Sequence, residues 1–484
     1  MSLAALAAVA IDEVTRLGPQ FADVRAVDDE SESVDVRDGR VERVSRSASR
    51  GVGIRVLVDG AWGFAATADQ DGGAVRDAAR LAVELARASG RVAHEPVRLD
   101  DSPPCQGGYV TPHRTDPLEM PVAEKTEYLL AATAAAREVP GVSLVEASTD
   151  AWRRRTVYRS SAGAAIEQTV LHAGGGLVAY AVGGGESQRR SYPTAFRGQF
   201  FSGGWEGVLA LDLPGHAAAT GREAVALLDA PELPSRPEAT VVLDSSQLAM
   251  QIHESIGHPL ELDRILGMEQ AYAGGSFVRV GDRDRLRYAS PIVSVTADAT
   301  TPGALGTFGF DDEGVRAGSA PLISGGVLVG FLSNRETAAA VGLASNGTAR
   351  ADSWGSIPLI RMNNVSLAPG ADDAAGLAEI VAATDDGFLL RTNRSWSIDD
   401  RRTNFQFACE AAYEIRNGSL GRLYRNPTYA GRTLDFWRSC DALGGRSDWR
   451  VWSVPICGKG QPSQLARVGH GAPTGRFRAA VGIR

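Results

Sequence analysis

The sequence predicts an α+β fold: an N-terminal antiparallel α/β domain followed by a β-rich, barrel-like C-terminal domain. Three observations carry this. The opening 90 or so residues mix helical periodicity with two Asp-Gly turns between alternating apolar runs, the pattern of antiparallel hairpins. Residues 231–237 (PELPSRP) hold three prolines in seven positions, which suits neither a helix interior nor a central strand. Beyond that segment, short strand-like runs and glycine turns dominate and long helices are few. A chain of 484 residues is also too long for one ordinary core. The expected domains are residues 1–233 and 238–484.

The elements follow in order. Residues 1–11 are apolar and Ala-rich, lack a basic n-region and run straight into Asp12 and Glu13, so they read as an amphipathic helix and not a signal peptide. Strands at 22–27, 33–36 and 41–44 surround Asp38-Gly39, and strands at 53–58 and 62–66 flank Asp59-Gly60. A helix covers 73–89, and the Pro/Gly-rich stretch 101–113 reads as a loop. A helix at 121–138, strands at 143–147, 155–158 and 172–182, and a helix at 216–229 complete the first half. The second half begins with a short buried strand at 239–243, followed by a helix over 247–256 capped by Asp244 or Ser245. Strands at 292–296, 327–332, 387–392, 405–413 and 449–455 follow. No solenoid period is visible.

Composition excludes several function classes. The formal net charge of −8 argues against nucleic-acid binding, which leaves a basic footprint. No stretch approaches the roughly 18 uninterrupted apolar residues of a membrane span. Four cysteines (Cys105, Cys409, Cys440, Cys457) form no disulfide framework and no C-x-x-C, which fits a reducing, cytoplasmic setting. The glycine runs 174–176 and 183–185 lack the Gly-Lys-Ser/Thr ending of a phosphate loop, so they are turns and no nucleotide is implied.

The chemistry concentrates in His253-Glu254-Ser255-Ile256-Gly257-His258. Imidazoles bind a borderline-soft divalent metal, and an adjacent carboxylate can take a proton from water activated there. The familiar zinc-protease helix places its histidines at i and i+4. Here they are at i and i+5, roughly 140° apart on an α-helix at about 100° per residue. Both reach one metal only if the helix bulges or ends between them. Gly257 commonly marks a helix end, and Pro259 disfavours α geometry at His258, so the expectation is that the helix stops at Ile256 and His258 sits on the exit turn. A catalytic zinc usually takes three protein ligands. Glu261, Asp263 and the distant Cys457 are all candidates for the third, and spacing alone does not choose. Lys459, close to Cys457, is a cation of the kind that stabilises a thiolate.

The chain resembles the TldD/PmbA (TldD/TldE) metalloprotease family over essentially its whole length. The resemblance rests on His253, Glu254, His258 and Glu261, on residues 310–315 (FDDEGV), 322–328 (LISGGVL), 361–364 (RMNN) and 413–418 (YEIRNG), and on 457–462 (CGKGQP) with 468–471 (VGHG). Residues 51–55 (GVGIR) and 62–65 (WGFA) fit as well, and the order of the pieces makes the match specific. His470 departs from the glutamine-like residue expected there, and Pro259 stands at a usually small position. The resemblance implies a two-domain protein that dimerises around an enclosed cavity, with residues 1–233 serving substrate access and dimerisation. It implies one Zn2+ held by His253, His258 and Cys457, with Glu254 as the catalytic carboxylate. Because the H-E-x-x-x-H motif is present, it implies the catalytic TldD type, working as a homodimer or with a PmbA/TldE-type sister.

The expected activity is zinc-dependent hydrolysis of peptide bonds in unfolded polypeptides or small peptides, including peptide precursors. A catalytically silent scaffold subunit, or an amidohydrolase acting on small modified amides, are the alternatives. Glu261 and Asp263 are candidates to support an imidazole N–H from behind. His470, Tyr272, Tyr288 and Arg361 are candidates to stabilise an oxyanion. Asp311-Asp312-Glu313 is expected to be a polar turn in preference to a calcium site.

Overall fold

The computed structural model describes every residue except His94, Ala273 and Arg484. Its N-terminal half comprises α1 (Leu3–Arg16), β1 (Phe21–Arg37), β2 (Arg40–Val58), β3 (Ala61–Thr67), α2 (Gly72–Gly90), β4 (Gln106–Val110), α3 (Val122–Arg137), β5 (Val142–Ser160), β6 (Ala165–Gly183), β7 (Glu186–Tyr192), β8 (Gln199–Ser202), α4 (Trp205–Leu209) and α5 (Leu213–Asp229). The strands form one eight-stranded sheet ordered β3-β2-β1-β5-β6-β4, with β7 and β8 also on β6. Both Asp-Gly turns place their two residues at positive φ (Asp38 48°, Gly39 73°; Asp59 50°, Gly60 74°), as a two-residue hairpin that matches strand twist requires. Strands expected as short pieces are longer here: 22–27 and 33–36 belong to the single strand β1, and 143–147 and 155–158 to β5. Polar residues within these strands lie on a sheet face that the chain's own charged pairs satisfy. Arg153 binds Glu30, and Arg154 binds Asp29. The stretch 101–113 is not all loop, because β4 adds in parallel to β6.

The C-terminal half starts with β9 (Arg236–Leu243) and α6 (Ser245–Ile252). It continues through α7 (Leu262–Ile265), β10 (Val295–Asp298), β11 (Ser319–Ser324), β12 (Val327–Leu328), α8 (Arg335–Ala340), β13 (Ala349–Arg350), β14 (Leu359–Ile360), β15 (Val365–Leu367), α9 (Leu377–Ala382), β16 (Asp386–Ile398) and β17 (Asn404–Arg416). It ends with β18 (Ser419–Tyr424), β19 (Thr428–Arg432), α10 (Thr433–Arg438), β20 (Ala442–Leu443), β21 (Arg450–Lys459), β22 (Gln464–Ala472) and β23 (Gly475–Val481). Strands β16-β9-β23-β19-β17 are hydrogen-bonded in that order, and β16 also pairs with β17, so the five close into a ring. Only β9 and β16 are parallel within it. Closure leaves these strands no open edge. The largest apolar core packs Leu248 and Ile252 of α6 with Phe405, Phe407, Tyr429, Phe436 and Phe477 of the barrel region. The hairpin β21–β22 stands apart as its own two-stranded ribbon. Three free cysteines are buried and Cys105 is partly so. No helix among the described residues is long and apolar enough to cross a membrane.

Candidate metal centre

Helix α6 is launched from β9 by Asp244, whose carboxylate caps the amide of Gln247 at 2.8 Å. The helix does not stop where the sequence led us to expect. Residues His253–Gly257 form a π-helical turn closed by the His258 N–H on the His253 carbonyl, and a 3₁₀ turn (His258–Leu260) follows without a break. Gly257 is right-handed (φ −56°), and His258 keeps α geometry (φ −62°, ψ −43°) despite preceding Pro259. The i→i−5 turn absorbs the extra residue that an α-helix would have thrown to another face. Gly257 is there for space: a Cβ would lie 2.0 Å from Met362 Sδ. Pro259, in the first turn of the 3₁₀ segment, has no N–H to lose. A buried polar relay holds the back of the turn. Gln247 donates to Tyr429, Tyr429 to Gln251 and Gln251 to Ser255, each at 2.8 Å, and Trp437 Nε1 donates to Ser255 Oγ at 2.8 Å.

The turn brings His253 and His258 together, and β21 delivers Cys457 to them. One ligand atom from each of the three lies within 4.8 Å of the others, and all three residues are buried. Cys457 Sγ is 3.6 Å from His258 Nε2. The proton positions follow from the partners behind the rings. His470 Nδ1 lies 2.9 Å from the Val365 carbonyl, which only accepts, so that nitrogen carries the hydrogen. Burial and the neighbouring His253 hold His470 well below the usual imidazole range, so it is neutral and its Nε2 is a bare acceptor. His253 Nδ1, 2.8 Å away, must then donate to it, which leaves His253 Nε2 as a free lone pair. His258 Nδ1 sits 3.0 Å from the Glu261 carboxylate and donates to it, which frees its own Nε2 on the side of Cys457. Burial pushes His253 down to about 4 and lowers His258, so both rings are neutral at neutral pH. Burial alone would raise the Cys457 thiol, but a proton held by His258 toward the sulfur and the charge of Arg361 bring it down to about 7, and a bound cation would take that proton's place. Two neutral imidazoles and an accessible thiolate suit a borderline-soft divalent metal such as zinc.

Behind the three candidate ligands, Glu261 is fully enclosed. Burial opposes its charge, but Lys459, His258 and Arg264 hold it well below the usual carboxylate range. Arg264 Nε donates to it at 2.6 Å. Asp263 touches neither imidazole. It takes Lys459 Nζ at 2.7 and 2.8 Å, and so braces the cation that neutralises Glu261. Lys459 therefore serves the carboxylates, whereas Arg361 donates to the Cys457 carbonyl and supplies the cation near the thiol.

Glu254 borders the ligand cluster and accepts Arg402 Nη1 at 2.6 Å. Arg402 was not singled out from sequence. It projects from the turn joining β16 and β17 at φ 64°, and Asp399 ties that turn down by accepting from the amides of Arg401, Thr403 and Asn404. Nothing local to residues 399–404 signals the contact, which spans 148 positions. Glu254, the ligands and Arg402 open onto a cavity of 310 Å³ whose apolar wall includes Met250, Trp396, Val454 and Ile456. Of the oxyanion candidates, none lines this cavity. His470 stands behind His253, Tyr288 donates to the Ser255 carbonyl, Arg361 is occupied by the carbonyls of Cys457 and Gln464, and Tyr272 lies exposed in another depression. Asp311, Asp312 and Glu313 are spent on backbone amides and arginines: Asp311 takes the amides of Val315 and Ala349, Asp312 that of Ala351, and Glu313 takes Arg55 at 2.8 Å. They form a polar turn that ties the two halves together.

The chain is similar to known proteins along most of its length. Three models of the PmbA/TldA metallopeptidases match in order along the chain: domain 1 at residues 22–86, the central domain at 115–229 and the C-terminal domain at 236–481. A metalloprotease of Methanothermobacter thermautotrophicus is 29% identical over 96% of this chain and 95% of its own length. A zinc metalloprotease TldD homologue of Saccharolobus solfataricus is 26% identical over 50% of each chain. The crystal structure of TldE from Thermococcus kodakarensis shares the fold with a TM-score of 0.71 at 16% identity, covering 98% of this chain and 99% of that one. With matched domains running from residue 22 to residue 481, the chain belongs to the PmbA/TldA (TldD) metallopeptidase family.

Proposed function

We propose that this chain is a zinc-dependent metallopeptidase that hydrolyses peptide bonds in unfolded polypeptides or small peptides, including peptide precursors. The observation that carries the reading is the convergence of His253, His258 and Cys457 within 4.8 Å, with each imidazole's Nδ1 already engaged. These three residues would hold one zinc ion. When bound, such a metal acidifies water and polarises a carbonyl. Glu254 takes the proton from water as the water oxygen adds to the peptide carbonyl carbon, and returns it to the amine nitrogen as the C–N bond breaks. Arg402 orients Glu254 toward the cavity and, once Glu254 is protonated, is free to donate to an oxygen of the substrate. Among the described residues β21 pairs with β22 alone. Gln199 takes up Val451 and Ser453 on its outer edge and Arg361 the Cys457 carbonyl, and the stretch between them, beside the cavity, would take an extended peptide as a short further strand. Trp396 and Ile456, 42% and 63% exposed at the cavity mouth, favour an apolar side chain near the scissile bond.

We further propose the division into residues 1–233, serving access and dimerisation, and residues 238–484, carrying the metal. The assembly would be a homodimer or a pair with a TldE-type sister, working in the cytoplasm. In Glu254→Gln, zinc should stay at about one per chain while cleavage of an unfolded polypeptide falls about 10²–10⁴-fold, the usual worth of a general base. Full activity in that variant would remove Glu254 from the mechanism. Absence of stoichiometric zinc in the folded wild type would favour a scaffold role.

A further inference from the structure

A second polar cavity, of 270 Å³, lies between the N-terminal sheet and the C-terminal half. Its walls include Trp152, Arg154 and His172 from β5 and β6, and Arg350 and Arg467 from β13 and β22. The ribbon β21–β22 separates it from the metal cavity. Ala466 pairs with Cys457 across that ribbon, and successive strand residues face opposite ways, so Arg467 points away from the metal.

Four carboxylates (Asp29, Glu30, Asp312, Asp352) and three guanidiniums line it, but two of the guanidiniums, Arg350 and Arg467, form no ion pair among the described residues. Arg154 is satisfied by Asp29 at 2.6 and 2.8 Å and by the Ala351 carbonyl at 2.8 Å. The cavity's acidic residues are also engaged: Glu30 binds Arg153, Asp312 accepts the Ala351 amide and Asp352 accepts Ser356. Arg350 donates only to the neutral carbonyls of Arg467 and Met362, and its Nε is closed off without a partner. Arg467 makes no side-chain hydrogen bond and no ion pair among the described residues. It rests on the Trp152 ring at 4.2 Å, and its Nε is likewise shut from water and unpartnered. Burial, and then Arg154, press Arg467 down to about 9, and burial with Arg361 presses Arg350 to about 10. Asp29 and Asp150 offset this in part for Arg467, and Asp312 for Arg350. What remains is guanidinium donors that meet no acceptor, which a ligand with two acceptor oxygens would satisfy.

We propose that this crevice binds a carboxylate presented by a peptide, as an acidic side chain or a chain end, with Arg467 as its fork-shaped clamp and Arg350 as a second donor. A planar guanidinium matches the two oxygens of a carboxylate, and Trp152 fixes the plane of the clamp. The volume suits a side chain and its neighbours better than a nucleotide or a drug-sized ligand. The binding does not depend on hydrolysis at the metal.

Calorimetric titration of the full-length protein at low ionic strength tests this. The probes are an N-acetylated, C-amidated glutamyl tripeptide, an acetyl-alanyl tripeptide with a free carboxyl end, and inorganic phosphate. Saturable binding of one carboxylate probe per chain, weakened at least tenfold in Arg467→Gln and only partly restored in Arg467→Lys, is the expected result. The first two probes tell a side-chain carboxylate from a chain end. Absence of saturable binding by the wild type, undiminished binding in Arg467→Gln, or binding of phosphate alone would each overturn the proposal. If Arg467→Gln fails to fold, Arg350→Gln and titration of zinc-free protein with the carboxylate probe take its place: binding undiminished in that variant, or lost with the metal, overturns the proposal.

Discussion

His470 sets the protonation of a proposed metal ligand from a position 217 residues away. Its Nδ1–H is anchored on the Val365 carbonyl, so its Nε2 can only accept, and His253 is thereby fixed with its bare nitrogen turned to the cavity. His470→Ala should weaken zinc binding about 10–100-fold, the usual effect of losing such a partner. Chelator competition measures this, and His470→Gln should recover much of the loss through its amide oxygen. Unchanged affinity in His470→Ala would show that the tautomer is held by something else. The sequence displays the candidate ligand types, because two imidazoles beside a carboxylate are the groups a zinc site uses. It gave no sign of the His470 and Arg402 contacts, since each joins residues whose own neighbourhoods look ordinary.

At the scale of the element, the H-E-x-x-x-H segment works because one turn of α6's continuation is π. Local residue preferences favour a break: Gly257 is a common terminator and Pro259 discourages helix before it. Tertiary packing overrides both. Ile256 and Leu260 are fully buried, and Met362 fills the space against Gly257, so continuing the helix satisfies more surface than ending it. Gly257→Ala should cost about 1–3 kcal/mol through overpacking, read as a lower unfolding midpoint in denaturant. Adding Met362→Ala should return part of that loss. A Gly257→Ala protein as stable as wild type would mean that Met362 moves aside freely.

Across the whole molecule, the two halves are held by polar contacts as well as apolar ones. Asp100, from the N-terminal half, takes Arg335 Nε at 2.9 Å and the Ser345 amide at 2.7 Å, both from the C-terminal half. Burial opposes its charge, but the Ser102 hydroxyl, the Ser345 N–H and Arg335 hold the carboxylate below its ordinary range. A depressed folded pKa stabilises the protein above the unfolded value of about 3.9, and the gain is lost as pH falls through the folded value. Asp100→Asn should therefore lower the melting temperature at pH 7, by roughly 1–2 kcal/mol of stability for charged hydrogen bonds. The gap to wild type should close below about pH 4. A gap that stays constant from pH 7 to pH 3 would show that charge plays no part. By itself the sequence determined the antiparallel hairpins, the β-rich second half, the candidate ligand types and the family, because periodicity, turn chemistry and motif order are local properties of the chain. Only the tertiary structure decided that the helix bulges instead of ending, that Asp263 braces a lysine and not an imidazole, and that the Arg467 guanidinium meets no hydrogen-bond acceptor among the described residues. Each of these depends on which distant groups share a buried space, and there the balance of desolvation and pairing has no local signature.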